Sequence, residues 1–108
     1  MPNSPITSRT DPDTAAITTA ELHGLPTGRT VRHDNAAHIF LDTVDDLAKW
    51  LRATGGYTTR RDAGPGVVLW TLITHTELRA DGTATPVIVH SLALDTEEVD
   101  YALTDALA

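Results

Sequence analysis

The side chains with the widest chemical reach are His75 and His90, two imidazoles set in apolar runs. A neutral imidazole can ligate a metal or exchange a proton near neutral pH. They flank an Asp81-Gly82 pair that reads as the tip of a β-hairpin, so their separation depends on register. A two-residue loop sets His75 opposite Ile88 and His90 opposite Ile73, which makes the histidines diagonal neighbours on one face; a three-residue loop puts them on opposite faces. Glu77 is the third candidate ligand. No HExxH or histidine-rich tract accompanies these residues, so no metal site is expected.

Ser91, beside His90 and near Asp95, supplies the residue types of a nucleophilic triad. Adjacent strand residues face opposite sides of a sheet, however, and no GxSxG turn is present to expose the serine. Asp42, Asp45 and Asp46 form a carboxylate cluster, but the last two fall in a helix first turn, where the dipole accounts for them. Gly55, Gly56, Gly64 and Gly66 lack phosphate-loop spacing, and Pro65 removes an amide donor that such a loop needs. Arg60-Arg61, with Arg52 before them, can make a small basic patch, read here as a solvated edge that discourages strand pairing. No catalytic residue, cofactor or metal is therefore expected, and the chain is not read as an enzyme.

The acidic side chains are more concentrated. Asp95, Glu97, Glu98, Asp100 and Asp105 lie on or before a final helix, and Glu97, Glu98, Asp100 and Asp105 are the expected contacts for a basic protein partner. Fifteen acidic against eight basic residues give a formal charge of −7, which repels nucleic-acid phosphate.

The elements that must position these residues follow from periodicity and turn chemistry. Thr14 to Leu22 is read as a strand from its threonines, paired across the Gly24 to Gly28 turn with Arg29 to His33. His38 to Leu41 is a third strand. Thr43 with Asp46 three residues on opens a helix over Val44 to Thr54, whose apolar stripe is Val44, Leu47, Ala48 and Leu51, and Gly55-Gly56 ends it. Tyr57 to Asp62, Val67 to Leu78 and Val87 to Leu94 are strands, and Asp95 with Glu98 opens an amphipathic helix that presents Val99, Ala102, Leu103, Ala106 and Leu107. The expected fold is α+β: a single small domain, mainly antiparallel β-sheet, with one central helix after the third strand and a C-terminal amphipathic helix. Residues 1–13, with three prolines and little apolar mass, are expected to be a disordered tail, and 14–108 the domain.

Val67, Leu69 and Ile73 alternate with Val68, Trp70 and Leu72, so both faces of the central strand are apolar. Helices cover one face; the other needs the N-terminal hairpin or a second subunit. Leu69, Ile73, His75 and His90 are the expected sheet-face interface. With 41% hydrophobic residues the chain can fold, and with no cysteine it has no disulfide, thiol nucleophile or thiolate metal site. No apolar run approaches the roughly 18 residues of a membrane span, and the N-terminal segment lacks the features of a signal peptide, so a cytoplasmic location is expected. One lysine among eight basic residues, with abundant Ala, Thr, Asp and Leu, is the bias of GC-rich bacterial coding sequence.

These features point to a non-enzymatic small acidic protein-interaction or regulatory module, homodimeric, that binds a protein partner through a sheet face or its acidic C-terminal helix. Two alternatives fit the same residues: a small-ligand domain with a pocket around Trp70 and His90, and a mobile-element-encoded inhibitor that offers its acidic helix to a basic, nucleic-acid-binding protein.

Overall fold

The computed structural model of the chain describes residues 12–77 and 81–108. Three helices, α1 (Pro12–His23), α2 (Val44–Thr54) and α3 (Tyr101–Asp105), pack against one face of a mixed five-stranded sheet. Its strands are β1 (Arg29–His33), β2 (Ala36–Phe40), β3 (Tyr57–Gly64), β4 (Val67–His75) and β5 (Pro86–Leu94), in the order β1-β2-β5-β4-β3. All neighbours are antiparallel except β2 and β5. The α+β class is as expected, with a parallel seam at the centre of the sheet.

Helix α2 forms for the local reasons legible in its sequence. The Thr43 hydroxyl accepts from the Asp46 amide at 3.2 Å, and Gly55, at a φ of 73° that favours glycine, donates its amide to the Leu51 carbonyl. Its stripe of Val44, Leu47, Ala48 and Leu51 seats on the sheet with fully buried Trp50, whose indole N–H donates to the Pro26 carbonyl at 2.7 Å. From the sheet, Ala37, Ile39, Val68, Trp70, Leu72, Val87, Val89 and Ala93 complete this core.

The segment read as a first strand is helix α1. Ala15, Ala16, Thr19 and Ala20 are buried at helical spacing, while β-branched Ile17 and Thr18 face outward, where their strand preference has no packing to express. Gly24 does not turn a hairpin: at a φ of 64° it ends α1, its amide donating to Glu21 and that of Leu25 to Ala20. The hairpin lies one step later, between β1 and β2, on Asp34 and Asn35, both at positive φ. The central helix therefore follows the second strand. Residues 1–11 of the expected tail lie outside the described residues, whereas Pro12 and Asp13 open α1.

Two further boundaries differ from expectation. β4 ends at His75, and Leu78 lies outside the described residues. The β4–β5 register pairs His75 with Pro86 and Thr71 with His90, so the connection is longer than either the two-residue or the three-residue loop considered for Asp81-Gly82. The last helix begins at Tyr101, five residues later than expected, because Asp100 rather than Asp95 caps it, accepting from the Ala102 amide at 3.0 Å. Beyond α3 the chain lies along β3: Thr58 donates its amide to Ala106, Ala108 donates to Thr58, and the buried Thr58 hydroxyl donates to Leu103 at 2.6 Å.

Candidate functional site

Because a strand alternates its side chains, the register assigns each residue to a face. The helix-covered face takes Val68, Trp70, Leu72 and Thr74 from β4 and Val87, Val89, Ser91 and Ala93 from β5. The other face carries Arg29, Val31 and His33 on β1, His38 and Phe40 on β2, Ile88, His90, Leu92 and Leu94 on β5, Val67, Leu69, Thr71 and Ile73 on β4, and Tyr57, Thr59 and Arg61 on β3. Among the described residues no helix covers it, since α1 packs beside α2 on the opposite side. Phe40, Tyr57, Leu92 and Leu94 are 43%, 46%, 58% and 59% exposed. Fifteen carboxylates are distributed through the chain, yet no described strand position on this face carries one.

A line of imidazoles crosses the face at the β2–β5 seam. His38 Nδ1 and His90 Nε2 are 3.1 Å apart, with ring planes 7° from parallel. Phe40 stacks on His90 at 4.9 Å between centroids, His33 meets His38 edge-on at 6.0 Å, and the Arg29 guanidinium lies 5.8 Å from the Phe40 centroid. His90 Nδ1 is 3.3 Å from the Thr71 hydroxyl. Half-burial, and secondarily the neighbouring His38, holds His90 below the ordinary histidine pKa. A groove of about 290 Å³ beside it is lined by Phe40, Leu41, Asp42, Leu69, His90, Ser91 and Leu92.

Comparison with known proteins finds no family model that matches the chain, and no curated protein or solved structure significantly similar to it. The reading of this face therefore rests on its own geometry.

Of the residues expected at a sheet-face interface, Leu69, Ile73 and His90 stand together on the uncovered face. His75 closes β4 at the far end, where it lines a separate groove with His23 and Glu77. His75 and His90 share a face but lie four strand positions apart in register, not diagonally adjacent. Glu77 turns toward α1, 3.3 Å from His23 Nε2, and accepts from the Thr19 hydroxyl. Among the described residues no three His, Asp or Glu side chains group to hold a metal ion. Ser91 is buried on the helix side, facing away from His90, and so is Trp70, which dissolves the pocket imagined around Trp70 and His90.

The charged residues disperse. Arg52 pairs with Asp100, Arg60 lies over the Trp70 ring, and Arg61 stands on the uncovered face, so the three arginines form no common patch. Glu97, Glu98 and Asp100 precede α3 instead of lining it. Glu97 accepts from the Leu94 amide at 3.2 Å and Asp100 serves as cap and ion-pair partner, while Glu98 and Asp105 are exposed. Among the described residues no helix is long and apolar enough to cross a membrane.

His33, His38, Phe40 and Arg29 were not singled out from sequence. The alternation of Ala37 and Ile39 with His38 and Phe40 gives the faces of β2, but only pairing with β5 brings them to His90.

Proposed function

We propose that this chain is a non-enzymatic interaction module that self-associates face to face, two copies burying their uncovered sheet faces against each other. The observation that carries the reading is an apolar sheet face free of strand carboxylates in a chain of formal charge −7. Two such chains repel over most of their surface, and this face is where they can approach closely without opposing carboxylates. Its size is suitable. Five strands about 4.8 Å apart, with central strands about 30 Å long and shorter flanks, present a face of about 600 Å², on the scale of the roughly 800 Å² each partner buries in a stable interface. A two-fold axis through such a face makes an isologous sandwich. The opposed orientation of His90 and Ser91, and the local engagement of Glu97 and Asp100, support a binding rather than a catalytic role.

Light-scattering mass at tens of micromolar is expected to give twice the 11.6 kDa chain, with a melting temperature that rises with protein concentration. Leu92→Asp, exposed in the single copy, is expected to give a folded monomer. A monomer with a concentration-independent melt overturns the reading. It favours instead a small apolar ligand in the groove beside Phe40 and Leu92.

A further inference from the structure

We infer that the hydrogen-bonded His38–His90 pair is a proton-operated latch on this interface: neutral rings let two copies close, and protonation parts them. The inference rests on the homodimer reading above and adds its regulation. A nitrogen-to-nitrogen contact of 3.1 Å requires one ring to donate and the other to accept. With His90 Nδ1 at the Thr71 hydroxyl, the chain His38–His90–Thr71 is satisfied in either direction of donation while both rings are neutral. A proton on each ring sets N–H against N–H and places two like charges in contact.

The surroundings offer those charges little relief. On the same face, β1 contributes Arg29 and His33, β3, on the far side of β4, contributes Arg61 and Tyr57, and β4 ends in His75 at the far end. Asp34 lies beyond His33, 3.1 Å from its Nε2, and Asp42 is the described carboxylate lining the groove with His90. A second copy laid over the face removes water from four such rings at once, and a charge without a partner is costly to bury. The direction of the His90 shift agrees: burial already favours its neutral ring in one copy.

General electrostatics has the opposite sign, which makes the test sharp. Charging all five histidines takes the formal charge from −7 to −2, so two copies repel less in acid and nonspecific association strengthens. The latch weakens it.

The experiment is sedimentation equilibrium of the full chain at about pH 8 and about pH 5.5, on either side of the ordinary histidine range, with circular dichroism to verify folding. The dimer dissociation constant is expected to rise about tenfold per proton taken up on dissociation for each pKa unit separating monomer from dimer. His38→Gln with His90→Gln is expected to flatten that response, and His75→Gln, outside the pair, to keep it. A dimer of equal strength at both pH values overturns the latch and leaves the dimer standing; a monomer at pH 8 overturns the dimer and the latch with it. Acid dissociation that survives in the folded double variant assigns the response elsewhere and also overturns the latch. If the double variant does not fold, imidazole nitrogen chemical shifts of the unaltered chain decide: His38 and His90 must protonate over the interval in which the mass falls, and protonation outside it overturns the latch.

Discussion

The two faces of the sheet share a backbone and differ in what they do with apolar side chains. On the helix side, Trp50, Leu47, Leu72, Val87 and Val89 are fully enclosed, and the polar groups among them bond to backbone carbonyls, the Trp50 indole to Pro26 and the Thr58 hydroxyl to Leu103. On the other side, Leu92 and Leu94 stay mostly exposed beside imidazoles that bond to one another across strands. One face is finished within the chain. The other leaves apolar side chains exposed around the His38–His90–Thr71 contacts. Apolar burial therefore stabilises the fold on one side, and on the other the self-association proposed above would supply it.

The comparison can be broken most severely at Trp50. Trp50→Ala is expected to cost about 3–5 kcal/mol in urea unfolding, leaving a cavity and an unpaired Pro26 carbonyl. A loss under about 1 kcal/mol would mean that the helix side is not the folding core. Leu92→Asp should do the reverse: it removes the dimer while shifting unfolding of the monomeric form by no more than about 0.5 kcal/mol. A large stability loss there would show that the face is covered within the chain.

Thr58→Val, which keeps shape and removes the hydroxyl bonded to Leu103, is expected to cost about 1–2 kcal/mol, read from the same denaturation curves. Thr43→Ala, at the α2 cap, should cost about 1 kcal/mol. The smallest effect is in the pH profile of the monomeric Leu92→Asp variant. Because the folded chain holds His90 below its unfolded value, the native state binds fewer protons, and stability falls as pH drops from about 6.5 toward the lowered value. A His90→Gln change in that background should remove this contribution; an unchanged slope above pH 5.5 would contradict it.

How far the sequence could be read depended on how local the signal was. Helix α2 was legible from end to end because Thr43, the apolar stripe and Gly55 all act within a few residues of one another. The β3–β4 and β4–β5 pairings were legible because glycine turns separate long apolar runs, although the hairpin loop beyond β4 was misjudged and with it the register. The N-terminal helix was not: threonine preference for strands outweighed three alanines whose value lies only in packing closely on the core, and the glycine that ends α1 resembles one that turns a hairpin. The acidic residues before α3 read as a helix face from sequence because nothing local distinguishes Asp95 from Asp100 as its cap. The uncovered face was half legible. Leu69, Ile73 and His90 follow from alternation along their strands, but His38 reaches His90 through a parallel pairing 52 residues apart in sequence.

That seam also orders the folding of the molecule. The sheet consists of two pieces whose strands follow one another in sequence, the β1–β2 hairpin and the β3–β4–β5 meander, and only the parallel β2–β5 pairing joins them. The loop entropy of long-range pairing places this join after the pairings of consecutive strands, so we expect the two halves to form first and the His38–His90 contact to be made as they meet. Pulse-labelling hydrogen exchange would show amides of β3 and β4 protected before that of Leu41, which donates to the His90 carbonyl across the seam; simultaneous protection would refute the order. Until the join is made, β2 and β5 each present an unpaired edge to any other chain in the same state, and an exchange of the N-terminal hairpin between two copies is the misassembly this topology invites.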